Sequence, residues 1–413
     1  MDWILKSQKK LDEKLLNRLK SVQSNTSQKS DPIPLLIRLT NEAKAKKITD
    51  LCSLTAAEKE THNISEIHFL AGRIKLENIR KLADHADVAM LHLDAPVKAS
   101  LDVATPSVGG SYAKNAFGLT GKGVTIAVLD TGIHPHPDFV QPVNRIVEFV
   151  DFVQGRTTPY DDNGHGTHCA GCAAGNGIAS GGKYVSPAPE ATLVGVKVLN
   201  ATGDGSVSTV IAGINYCIQN KARLNIKIMN LSLGVEAYTS YINDPLAQAC
   251  ESAFNAGILV IAAAGNSGPD GKVNSPGIHP RVLTVGAIDD RDTVSLSDDI
   301  KAAYTSVGPT IDGLLKPDLF VPGSNITAPI SPNSTLTFQY PGLLVLNGQY
   351  MKISGTSMAT GLCSGAAALM LQAYPSYSPQ RIKLIMLQTI QVFNNENEAR
   401  LLLQEVFKLT TSQ

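Results

Sequence analysis

The chain has 413 residues, 43% hydrophobic and 17% charged, and its 36 Lys plus Arg balance 36 Asp plus Glu to a formal net charge of zero. This mix excludes a disordered chain, and the missing basic excess argues against nucleic acid as a partner. The longest tight apolar run, Ile258 to Ala264, is too short for a membrane span and suits a buried strand.

The N-terminal stretch MDWILKSQKKLDEKLLNRLKSV is interrupted by Lys and Asp and lacks the apolar core of a secretory signal. Its apolar positions Ile4, Leu11, Leu15, Leu19 and Val22 recur at helical spacing, which predicts a helix packed on the protein's own body. Without an export signal the default compartment is the cytoplasm, and the six cysteines are then reduced thiols. A polar extension over residues 1–33 leads into PLLIRL, read as a strand. Asn41 to Leu51 reads as a helix, HFLAGRI as a second strand, Leu76 to Ala83 as a second helix and VAMLHL as a third strand. Residues 34–95 thus form a small α+β module. Residues 96–110 are rich in small side chains and read as an exposed linker to a domain over 111–413.

In that domain VTIAVLD, TLVGVKVL, IKIMNLSLG, GILVIAAAG and VLTVGAI are apolar runs without polar alternation. Strands buried on both faces have this character, so the fold class is α/β, with a parallel sheet and helices on both faces. Helices are predicted over Ser208 to Asn220, Pro245 to Ala256, Ser357 to Ala373 and Pro379 to Ile390. Such a sheet carries its site at the C-terminal ends of its strands.

Three segments place a reactive side chain at such a position. AVLDTGIHPHPDF ends an apolar strand on Asp130, DDNGHGTHCAG sets His165 between glycines before a small-residue helix, and SGTSMATG puts Ser357 at the start of an Ala- and Gly-rich helix. A nucleophilic serine needs a base, and the base needs an acid to fix its tautomer. His168 is read as structural, packed behind the site. The His168-Cys169-x-x-Cys172 cluster has too few cysteines for a zinc set, and Cys52, Cys217, Cys250 and Cys363 read as small buried apolar residues.

With NLSLG (Asn230 to Gly234), AAAGNSG (Ala262 to Gly268) and KPDLFVPG, these blocks resemble those of the subtilases, the subtilisin-like serine proteases of peptidase family S8. The block GKYVSPAPEATLVGVKVL and the signal-less start are most similar to the intracellular AprX-like group. The resemblance implies a serine endopeptidase in which Ser357 attacks, His165 moves the proton, Asp130 orients His165, and Asn266 helps bind the oxyanion. It implies substrate-binding segments at Gly203–Gly205 and at Ser232, Leu233 and Gly234. It also implies a side-chain slot walled by Ser232–Gly234 and Ala262–Gly265, the latter including Ala263, with Asn274 near its floor. Residues 34–95 resemble the family's inhibitory propeptide, whose closing tail, LHLDAPVKAS, would lie in the groove as a product-like strand. The implied partners are protein or peptide substrates and the chain's own N-terminal module.

No cofactor is required on this reading; calcium is the one candidate, with Asp138 of HPDF at a family ligand position. The loop after Gly175 departs from the calcium-binding pattern, and Gly361 replaces the usual Pro of GTSMATP. Two other readings share the fold: a transpeptidase or cyclase, and a non-catalytic binding protein.

Overall fold

The computed structural model describes residues 2–11, 15–16, 18–19, 32–40, 48, 63–64, 69–93, 96–99, 110–269, 271–290, 299–388, 390–393 and 398–401. Val22 and, apart from Ile48, the helix expected over Asn41 to Leu51 lie outside these residues. The N-terminal module contains β1 (Ile33–Leu39), β2 (Phe69–Ile74), α1 (Leu76–Asp84) and β3 (Val88–Leu93). β1 is central and antiparallel to both β2 and β3, and α1 turns Ile79, Leu82 and Ala83 into their shared core. Ile4, Leu11, Leu15 and Leu19 join that core. Their predicted single helix is broken, however: a helix over Asp2–Ser7 gives way to a 3-10 turn at Gln8–Lys10, and Leu11 bridges to Leu91. Lys10 Nζ donates to the His85 carbonyl at 2.7 Å, a tertiary bond that fixes the chain at the break.

The other face of the module is also covered. Leu36 and His92 are cross-strand partners and therefore share a face of the sheet; both are buried. Leu36 belongs to the same apolar cluster as Val207, Val210 and Leu246 of the large domain.

Next comes β4 (Pro96–Ala99), inside the stretch expected to be a linker. Small side chains read as loop, but main-chain pairing needs no particular side chain, and that is what places this strand.

The large domain is built on β5 (Thr125–Asp130), β6 (Ile146–Asp151), β7 (Thr192–Lys197), β9 (Ile226–Leu231), β11 (Leu259–Ala263), β12 (Leu283–Asp289) and β13 (Leu319–Pro322). Short strands β8 (Asp204–Ser206) and β10 (Leu233–Gly234) form a separate sheet with β4. The main sheet runs β6-β7-β5-β9-β11-β12-β13, all parallel, and a C-terminal antiparallel hairpin, Ile390–Phe393 and Glu398–Leu401, is added beyond β13. Strand order reverses at β5, so the crevice at the C-terminal ends of β5 and β9 is the topological switch point.

Side chains alternate across the sheet. Ile126 and Val128 face α2 (His165–Ala174) and α5 (Thr356–Ala373), while Ala127 and Leu129 face α3 (Val207–Leu224) and α4 (Pro245–Asn255). Two further strands, β14 (Ile326–Pro329) and β15 (Tyr350–Ile353), pair as a hairpin just before α5, and α6 (Pro379–Gln388) follows it. The α6 boundary is two residues short of the expected Ile390, which begins the C-terminal hairpin instead.

At the N-terminal edge of β12 and β13 two buried lysines share one carboxylate. Lys316 Nζ lies 2.6 Å from Asp318 Oδ2 and donates to the Val282 carbonyl; Lys383 Nζ lies 3.1 Å from the same oxygen. Burial pushes Lys316 from 10.5 down to about 7 against the upward pull of Asp318. Above that value the folded chain has released a proton that the unfolded chain still holds, so stability rises as pH climbs from about 7 toward 10.5. Denaturant titrations across this window should show the rise in wild type and its loss in Lys316→Met. Asp318→Asn, which leaves both ammonium groups without a counter-charge, should cost about 3–5 kcal/mol at pH 6.

Candidate active site

Asp130 closes a strand buried along its whole length and is itself fully buried. Its Oδ1 accepts from the Thr131 N–H at 2.7 Å and lies 2.8 Å from His165 Nδ1. Its Oδ2 is buried with no hydrogen-bond partner among the described residues. Burial opposes a charge on His165, but the Asp130 carboxylate outweighs it and lifts the imidazole well above the ordinary histidine range.

His165 is held by a network that the sequence reading missed. The Asp161 carboxylate accepts from Thr131 Oγ1 (2.9 Å), from the N–H groups of Asn163 (3.1 Å), Gly164 (2.8 Å) and Thr167 (2.9 Å), and from Thr167 Oγ1 (2.7 Å). Thr131 Oγ1 in turn accepts from the Gly166 N–H at 2.9 Å. One buried carboxylate thus ties the end of β5 to the first turn of α2. The available signal was an acidic residue just ahead of a helix start, where free N–H groups need an acceptor. Gly164 has φ of 103°, and a Cβ there would lie 2.7 Å from Ser334 Oγ, so the residue before His165 must be glycine.

Ser357 stands at the head of α5 and exchanges hydrogen bonds with Ser232: Ser232 Oγ donates to the Ser357 carbonyl at 2.8 Å, and Ser357 Oγ donates to the Ser232 carbonyl at 3.2 Å. Asn230 Nδ2 supports Ser232 Oγ at 2.9 Å, and Ser364 Oγ holds Asn230 Oδ1 at 2.9 Å. Asn266 Oδ1 accepts from both the N–H and the Oγ1 of Thr356 at 3.0 Å. Its Nδ2 is left buried and without a partner among the described residues.

The helices bearing His165 and Ser357 meet at Gly361. A Cβ there would lie 2.7 Å from Cys172 Cβ and 2.8 Å from the Cys169 carbonyl, so the close approach of α2 leaves no room for the proline usual at this position. Asp130, His165 and Cys169 offer ligand atoms within 4.8 Å of one another. Cys169 Sγ is 3.7 Å from His165 Nδ1 and 3.8 Å from Nε2, which puts it over the ring face, away from the in-plane lone pairs a metal would use. Burial raises the Cys169 thiol to about 12, so it stays neutral. His168 Nε2 lies 3.0 Å from the Met351 carbonyl, and burial pushes its ring down to about 3, in line with a structural role.

β4 fills the groove beside this site. It pairs antiparallel with β8 (Pro96 with Ser206, Val97 with Gly205, Lys98 with Asp204) and with β10 (Lys98 with Gly234, Ala99 with Leu233). Gly203 lies outside the pairing and makes the preceding turn at φ of 81°. Asn274 lies between two glycines: the Cβ positions of Gly234 and Gly265 are 2.9 Å from Asn274 Cβ and Nδ2, respectively.

Residues 121–405 match the model of the subtilase family, Peptidase S8. The chain belongs to this family. It is 47% identical to serine protease AprX of Bacillus subtilis over 312 residues, 74% of this chain and 70% of that protein. It is 34% identical to the thermostable alkaline protease of Halalkalibacterium halodurans, covering 79% of each. Among solved structures, fervidolysin from Fervidobacterium pennivorans superposes with a TM-score of 0.71 at 19% identity, over 92% of this chain and 61% of that one. This subtilase is accordingly a serine-type endopeptidase of α/β fold, and no observation favours the transpeptidase or non-catalytic readings.

Calcium does not fit Asp138 in this subtilase. The carboxylate is fully buried and accepts from the Gly177 N–H at 3.1 Å, the Ala179 N–H at 3.0 Å and the Tyr350 hydroxyl at 2.8 Å. Calcium is held by converging oxygen lone pairs, whereas N–H and O–H donors converge on this carboxylate. Tyr350→Phe should therefore lower stability by about 1–3 kcal/mol. Calorimetry should find the same loss in calcium and in chelator.

Proposed function

We propose that Asp130, His165, Ser357 and Asn266 carry out peptide-bond hydrolysis through an acyl-enzyme, under restraint by the N-terminal module. The 2.8 Å Asp130–His165 bond carries this reading: it fixes the tautomer that leaves Nε2 to take the Ser357 proton. The tetrahedral oxyanion would be met by the Asn266 Nδ2 amide, whose other end is pinned by Thr356, and by the Ser357 N–H. His165 would then protonate the leaving amine, and water would repeat the sequence on the acyl-enzyme. Main-chain pairing with β8 and β10 reads a peptide without strict regard to sequence, which supports broad specificity.

The pairing of β4 supports a product-like inhibitory tail. Its register advances from Gly234 to Leu233, and the next position leads to Ser232, the partner of Ser357. The maturation cut is accordingly expected immediately after position 100. Purified wild type should shorten to that N-terminus, read by mass spectrometry, while Ser357→Ala should stay full-length and inactive on casein. Casein hydrolysis surviving in a clean Ser357→Ala preparation would overturn the assignment.

Asn274 is assigned to the floor of the slot for the side chain before the scissile bond. Its amide would shorten that slot and favour polar-tipped or medium side chains. Peptides differing only at that position should show Asn274→Gly gaining on Phe relative to Gln by about 1–2 kcal/mol in kcat/KM. An unchanged ratio would place Asn274 outside the slot.

A further inference from the structure

The segment joining β14 to β15 has no role in the chemistry described so far, yet it borders the reactive residues on both sides. Thr335 and Leu336, at the start of the short helix Thr335–Gln339, donate N–H bonds to the carbonyls of Asp162 (2.9 Å) and Asn163 (3.0 Å). Those two residues immediately precede Gly164 and His165. Ser334 Oγ and Ile330 Cδ1 lie 2.7 and 2.8 Å from where a Gly164 Cβ would be. At its far end the segment becomes β15, which leads directly into Gly355–Ser357.

Its surface is unusual. Phe338 is 70% exposed, Tyr340 48%, Leu343 37% and Leu346 44%, and no other ten-residue stretch among the described residues holds more than two exposed large apolar side chains. No charged residue occurs between Asp318 and Lys352. Leu346 sits at φ of 48°, a left-handed conformation that a branched side chain seldom adopts. Isolated exposed apolar residues need no explanation, but a cluster beside a reactive site does.

The direction of the bound strand suggests what covers this cluster. β4 approaches Ser357 along β8 and β10 and so occupies the side of the cleft upstream of the scissile bond. The loop Asp162–Gly164, on which the segment docks, lies immediately ahead of His165 in the chain. We propose that this uncharged rim, centred on Phe338 and Tyr340, receives the substrate residues downstream of the cut and selects large apolar side chains there. The inference rests on the protease reading above and adds to it a class of substrate.

The test uses internally quenched peptides that share one upstream sequence and carry either Leu-Phe or Asp-Asp at the second and third positions downstream of the cut. Competent enzyme is counted by labelling Ser357 with a serine-directed phosphonate. Wild type should favour the apolar peptide by about tenfold in kcat/KM, mainly through KM, and the double variant F338S/Y340S should bring that ratio close to one. If wild type cleaves both peptides equally, or the variant keeps the preference, the proposal fails while the protease assignment stands. If wild type labels but cleaves neither peptide, the proteolytic reading itself fails. Concentration-dependent dimerisation abolished by F338S/Y340S, with peptide preference unchanged, would instead assign the rim to self-association and overturn the proposal.

Discussion

The structure depends on keeping a carboxylate buried at the end of an apolar strand. Asp130 has no access to water, and one of its oxygens has no hydrogen bond among the described residues. Burying a charge in this way is costly unless a positive or strongly donating group is fixed beside it. His165 is that group, so its position cannot be left loose. The Asp161 carboxylate, Thr131 Oγ1 and the left-handed Gly164 together hold the first turn of α2 against the end of β5. The Asp130 carboxylate at Nδ1 raises the proton affinity of the His165 ring against the cost of burial.

The same constraint explains the small residues on α2 and α5. For Ser357 to work with His165, their helices must pack closely, and at Gly361 they do so with no space for a Cβ. Asp138 follows a parallel logic. Two backbone N–H groups and the Tyr350 hydroxyl satisfy the Asp138 carboxylate, and Tyr350 begins the strand that leads to Ser357.

Much of this was legible in the sequence because the relevant signals are local. Apolar runs without alternation gave the parallel strands β5, β7, β9, β11 and β12, and Asp130, His165 and Ser357 fell at the ends or starts where reactive residues belong. What stayed hidden depends on partners distant in the chain. β4 is a strand only because β8 and β10 flank it, so its small residues read as linker. Strand β6, RIVEFVD in sequence, carries polar residues among its apolar ones and is only partly buried, as befits the edge of the sheet, unlike the continuous apolar runs of the inner strands. Asp161 gave one weak capping signal, and its part in joining two elements required their approach in space. Tyr350 lies more than two hundred positions from Asp138, and no spacing rule relates them.

The module's attachment also bears on how the restraint proposed above would act through so short a strand. β4 offers only a few main-chain bonds, each worth about 1 kcal/mol net against water. That is too little to exclude substrates from an open groove if the strand acts alone. Leu36, however, is buried in the same cluster as Val207 and Leu246, so the body of the module docks on α3 and α4 just beside the groove. Docking makes binding of the tail an intramolecular event, and the resulting effective concentration multiplies a weak strand interaction many-fold. After the proposed cut beyond β4 the same arithmetic would still hold the tail in place for as long as the module stays docked. On the proposed function, restraint would therefore reside in the apolar face around Leu36 as much as in the strand that touches the groove, and release would require the body to leave before the tail.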